Sequence, residues 1–158
     1  MQQGHDIHDN PLRGTPEFFA GAVTNPGADD LEWEINRLGQ KIDAGAQFFQ
    51  TQAVYEPVAY EKFANAAAKY NVPFLPSIIL LKSADMARFL NDKVPGITVP
   101  DDIIKQMDDA ATPEEKSAAS VEIAARTIRE LKPLCQGVHL IAAGWESKLP
   151  QVINLANS

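Results

Sequence analysis

The stretch DAGAQFFQTQAVYEP, Asp43 to Pro57, decides how the rest of the chain is read. Gly45 stops whatever precedes it, as glycine does at a helix C-terminus, and Pro57 opens whatever follows. Between them Gln47 to Val54 reads as a short strand. A strand covered on both faces is expected to be almost wholly apolar, so Gln50 and Gln52 at its end are anomalous. Side chains alternate with period two along a strand, which predicts that the two amides share one face.

The same grammar extends in both directions. Upstream, FFAGAV (Phe18 to Val23) reads as a strand closed by Thr24, Asn25, Pro26 and Gly27. Asp29 or Asp30 then caps a helix whose stripe is Leu31, Ile35, Leu38 and Ile42. Downstream, Pro57 starts a helix carrying Tyr60, Phe63, Ala67 and Tyr70, and Pro73 to Leu81 is a third strand. Ser83 caps a helix with Met86, Phe89 and Leu90. VPGITVP then leads to the short helix DDIIKQMDDA. Thr112-Pro113-Glu114-Glu115 is a capped start for a long helix striped by Val121, Ala125, Ile128 and Leu131. Gly137 to Ala143 is a fourth strand, and Trp145 to Ala156 a last helix.

Four strands alternating with helices predict an α/β protein with a parallel sheet, because each helix returns the chain to the same end. A (β/α)8 barrel has twice that number. Polar residues at strand ends suit a barrel mouth, where ligands bind, and Asn25 holds the matching place after the first strand. The expectation is therefore half of a (β/α)8, TIM-type barrel: residues 1–16 a loop segment, residues 17–158 one domain of barrel units.

The totals set outer bounds. A chain of 158 residues, 45% hydrophobic and 22% charged, is an ordinary globular domain. With 14 Lys and Arg against 21 Asp and Glu, its net charge of −7 disfavours phosphate backbones, so nucleic acid is not expected as a partner. No apolar run approaches the roughly 18 residues of a membrane span, and the start of the chain lacks a signal-peptide pattern. A single cysteine, Cys135, permits no internal disulfide and reads as an inert thiol. These features predict a cytoplasmic protein. His5 and His8, in an HDIH phrase, have no third ligand beside them, and no metal site is expected.

At this point the residues resemble the methylenetetrahydrofolate reductase family. The phrase KIDAGA leading into FFQTQAVY is similar to the family's helix end and its strand ending Thr-Gln. FFAGAVTNPGADDLEWEI resembles the preceding strand and helix, KSADMARFLNDKVPGITVPDDII the connecting segment, and GVHLIAAGWESKLPQVI the final strand and helix. The similarity runs in order from about Leu12 to the C-terminus. It implies a flavoprotein that holds FAD at the mouth of an eight-stranded barrel. Such an enzyme takes electrons from NADH or NADPH and reduces 5,10-methylenetetrahydrofolate to 5-methyltetrahydrofolate. Only strands five to eight are represented. The acidic glutamate of the family's first strand and the aspartate of its fourth are absent, which implies a half that needs the missing half or a second copy, and that is inactive alone. A non-catalytic partner subunit, or the reductase portion of a homocysteine methyltransferase fusion, are the alternatives.

Residue by residue, the resemblance implies that Gln52 hydrogen-bonds the folate, since an amide offers both donors and acceptor to a pterin edge. Gln50 would line the same site, and Ala143 would border the substrate. Lys41 would meet the flavin's phosphates, Asn25 and Glu34 would lie near its nucleotide part, and Ile141 would border the ring. Asn25 replaces the aromatic residue of many relatives, and Ile141 and Ala143 replace Tyr and Leu. His139 reads as structural, and Met86 and Leu90 as core.

Overall fold

The computed structural model describes residues 3–158. Four strands, β1 (Gly21–Thr24), β2 (Phe48–Ala53), β3 (Phe74–Ile79) and β4 (His139–Ile141), form one sheet in the order β1-β2-β3-β4. Every neighbouring pair is parallel. Six α-helices connect them: α1 (Leu31–Asp43), α2 (Pro57–Ala67), α3 (Ala84–Lys93), α4 (Asp101–Asp109), α5 (Pro113–Leu131) and α6 (Leu149–Asn157).

Helix boundaries follow local chemistry. Asp30, not Asp29, caps α1 by accepting from the Trp33 N–H at 2.9 Å. Past its C-cap, Ala44, the chain turns at Gly45 with φ +104°, a conformation that costs glycine little. Thr112 and Glu115 form a reciprocal capping box at α5, with Pro113 in the first turn.

The core lies on the helix side of the sheet. Phe49, Phe74, Ile78 and Leu80 of the strand segments meet Leu38 of α1, Tyr60 and Phe63 of α2, Leu131 of α5 and Val152 of α6. A second cluster at the C-terminal end of the sheet joins Ala53, Tyr55 and Leu81 to α3, α4 and the 94–100 connector through Ala87, Ile97, Val99 and Met107. The opposite face carries Gln50, Leu75, Ile79, His139 and Ile141, which are only half-buried. One covered face and one open one, on a sheet of parallel strands, is the arrangement of half a TIM-type barrel.

Several expected elements are shorter than predicted. Phe18 and Phe19 lie outside β1 and are 49% and 68% exposed, because β1 is an edge strand whose ladder starts only where Phe48 supplies a partner for Gly21. Phe19 instead stacks on the Phe48 ring, with centroids 5.4 Å apart. Phe89 leaves the α3 stripe and is exposed. Ala84, Ala87 and Leu90, at spacings of three, form the buried side, and Phe89 falls off that row. Tyr70 sits in a 3-10 turn after α2 and donates to the Ile35 carbonyl at 3.1 Å. The last helix starts at Leu149, behind a 3-10 turn over Glu146–Lys148.

The β2–β3 ladder slips. Gln50 pairs with Leu75 but Ala53 pairs with Ser77, so β2 spends three steps where β3 spends two. Phe49 and Val54, five residues apart, consequently both enter the helix-side core. In an unbroken strand an odd spacing would place them on opposite faces.

Candidate functional site

At the C-terminal end of β1 the loop to α1, the adjacent face of α1 and the end of β2 enclose a cleft of about 420 Å³. Four of the residues singled out in the sequence line it: Asn25, Glu34, Lys41 and Gln52. Gln52 is exposed, so its amide is available to a ligand. Gln50 is half-buried and does not line the cleft. The expectation that both glutamines share a face rested on an unbroken period of two, and the bulge between Gln50 and Ala53 breaks it.

Glu34 is 4% exposed, which is low for a carboxylate. Its Oε1 accepts from the Thr24 hydroxyl at 2.7 Å and from the Asn25 N–H at 3.0 Å. The side chain therefore ties α1 to the turn after β1. Asn25 in turn uses its Oδ1 to accept from the Gly27 N–H at 3.1 Å. Behind this turn stands the 94–100 connector. Asn91 clamps both the N–H and the C=O of Val99, at 2.6 and 3.0 Å. A Cβ on Gly27 would strike the Gly96 carbonyl, and one on Gly96 would strike the Asn25 side chain, so the two loops approach as only glycines permit.

Lys41 donates to the Val23 carbonyl at 2.6 Å, which uses one of the three N–H donors of its ammonium. Arg37, one turn earlier, holds its guanidinium 4.6 Å from the centre of the Trp33 ring. Trp33 and Arg37 also line the cleft. Reading the sequence for motifs missed them. The available signal was the spacing of four that places Trp33, Arg37 and Lys41 in one row beside the buried stripe of α1. Against the two cations the cleft holds one carboxylate, Glu34, so its wall is favourable to an anion.

Ile141 and Ala143 sit elsewhere, at the end of β4 on the opposite edge of the sheet, and line no part of this cleft. Ala143 adopts φ +52° beside Gly144 at +88°. His139 faces Ser77, with Nδ1 3.0 Å from its Oγ. The Cys135 thiol donates to the Leu131 carbonyl at 3.3 Å, and burial raises its pKa, so it is held as an unreactive thiol. Met86 is half-buried, its sulfur facing the Lys82 N–H, and Leu90 is buried. Among the described residues no helix is long and apolar enough to cross a membrane.

The chain is thus a parallel half of a (β/α)-barrel, with a polar cleft at the C-terminal end of its first strand, the end at which such barrels place their sites. The sequence model of the methylenetetrahydrofolate reductase family matches residues 14–157. The chain belongs to that family. It is similar to methylenetetrahydrofolate reductase 2 of Schizosaccharomyces pombe (strain 972 / ATCC 24843), at 28% identity over 96 residues, covering 57% of this chain and 15% of the relative. In fold it matches an uncharacterized protein from Clostridium thermocellum that binds two copies of 5-methyl-5,6,7,8-tetrahydrofolic acid. The TM-score there is 0.57 and the identity 20%, over 92% of this chain and 54% of that one. The chain thus spans about half the length of the solved structure and a smaller part of the curated relative.

Proposed function

We propose that this chain supplies the C-terminal half of a flavin-dependent methylenetetrahydrofolate reductase site, contributing folate and FAD contacts to a barrel completed by the missing half or by a second copy. The single observation that carries this reading is the cleft in which Asn25, Glu34, Lys41 and Gln52 meet, in a chain matched to the family from residue 14 to 157.

The donor set fits part of a flavin dinucleotide. Lys41 and Arg37 offer N–H donors to a diphosphate, Trp33 offers an exposed ring face, and Asn25 offers an amide. Flavin, when bound, supplies the hydride-transfer chemistry that links NADH or NADPH to a folate. The chain's own residues bind and orient. Gln52 presents two donors and an acceptor to a pterin edge, and Glu34 holds the Asn25 turn in place from behind. Ile141 and Ala143, on β4, would border the ring and the folate from across the mouth, leaving more space than larger side chains would. Gln50 stands one bulge away from the site.

An NMR titration of the ¹⁵N-labelled chain tests the reading, with 5-methyltetrahydrofolate and FAD added separately. Both ligands are expected to shift the amides of residues 23–28 and 51–54. Gln52→Ala should weaken the folate by about tenfold and Lys41→Ala should weaken FAD by about tenfold or more, the loss of one hydrogen bond to a ligand in each case. Unchanged folate affinity in Gln52→Ala would overturn the assignment.

A further inference from the structure

The bulge in β2 is held by a residue of β3 and by a side chain of β2 itself. Ser77 of β3 is 3% exposed and Thr51 of β2 is 6% exposed. The Ser77 hydroxyl donates to the Thr51 carbonyl at 2.6 Å, and the Ser77 N–H donates to Thr51 Oγ1 at 3.2 Å. The Thr51 hydroxyl in turn donates to the Gln52 carbonyl at 2.6 Å. Both carbonyls flanking the Gln52 α-carbon are therefore held, that of Thr51 by the Ser77 hydroxyl and that of Gln52 by Thr51 Oγ1, which accepts from the Ser77 N–H.

The donor count extends the chain one strand further. A serine hydroxyl has one proton, and Ser77 commits it to Thr51. Its contact with His139 Nδ1 at 3.0 Å can then only be one in which Ser77 accepts. His139 of β4 then donates from Nδ1, and in the neutral ring Nε2 is the acceptor. The relay runs from β4 through β3 to the Thr51 carbonyl, on the N-terminal side of Gln52.

We infer that Ser77, backed by His139, is a positioning residue that aims the Gln52 amide into the cleft by fixing the Thr51–Gln52 bulge. This rests on the folate reading above. Regular pairing would leave the extra residue of β2 with no ladder partner. The two hydroxyls supply the missing partners and select one geometry for the bulge. Bulges re-aim side chains beside binding sites, and this one lies between Gln50, which does not line the cleft, and Ala53, with Gln52 inside it and lining the cleft.

A double-mutant cycle on the full chain tests the inference, read by NMR titration with 5-methyltetrahydrofolate and, separately, FAD. Ser77→Ala is expected to weaken the folate by about tenfold, the scale of one lost hydrogen bond, with FAD affinity unchanged. Adding it to Gln52→Ala should cost nothing further, because Ser77 acts through Gln52. Additive losses, or a parallel loss of FAD, would mark Ser77 as merely structural and overturn the inference. No folate effect from Gln52→Ala would instead remove the functional reading and this inference with it. Long-range ¹H–¹⁵N spectra of the unmutated chain give a ligand-free check. Neutral His139 should show a protonated Nδ1, and the Nε2–H tautomer would refute the relay whatever the variants do.

Discussion

Glu34 is buried, yet its partners are a threonine hydroxyl and a backbone N–H, neither of them a cation. Removing it leaves the Thr24 hydroxyl and the Asn25 N–H without an acceptor, at a cost of about 1–3 kcal/mol for a stranded group. Glu34→Ala should therefore lower unfolding stability by about 2–3 kcal/mol in urea denaturation, whereas Glu34→Gln, which keeps an oxygen at the same place, should lose less. Gly96 has φ +78° and faces the Asn25 side chain. Gly96→Ala combines backbone strain with that clash, and about 1–3 kcal/mol of destabilisation is expected, along with shifted side-chain amide resonances of Asn25. The resemblance named Asn25, Glu34, Lys41 and Gln52, and these four share a cleft. What it did not carry was their local duty. Glu34 meets Thr24 across ten residues, and Lys41 meets Val23 across eighteen, so neither contact has a signature within a motif.

Helices were the more legible elements. Asp30, Ser83 and Thr112 each accept a backbone N–H at the start of a helix, as their type and position predict. Thr112→Ala should cost about 1 kcal/mol. The N–H groups of Thr112 and Ala111 hold the Glu115 carboxylate below its ordinary value of 4.5. Because the folded form binds its proton less readily, that contribution is present above pH 4.5 and is lost as pH falls through the lowered value. Thermal midpoints of the native chain and Glu115→Gln should thus differ most above that pH and converge below it. A constant gap would disprove the coupling. Strand ends were read too long, since a ladder needs a partner that local sequence does not show. The bulge was not legible for a related reason. FFQTQAV contains neither glycine nor proline to mark a break, and the side chain that stabilises the extra residue, Ser77, lies 26 positions away from Thr51.

At the scale of the whole molecule, and among the described residues, the sheet has one covered face and two unpaired edges, β1 and β4. Val23 on β1 is 68% exposed and Phe19 beside it likewise, so this edge presents apolar surface even though Lys41 occupies the Val23 carbonyl. Sedimentation at micromolar concentration should show species heavier than one chain, and Val23→Lys should shift the distribution toward monomer. A stable, rigid monomer would show that the half-barrel is sufficient alone. The fold class was readable from alternation, and the first and last strands of the sequence are the two edges of the sheet. The two edges have the same strand direction, so the right side of one copy is a proper neighbour for the left side of the next. If the sheet's curvature brings that contact back on itself after two copies, growth ends in a ring of eight strands. Any residual rotation leaves a free margin at each end, and the same contact then propagates as a fibre.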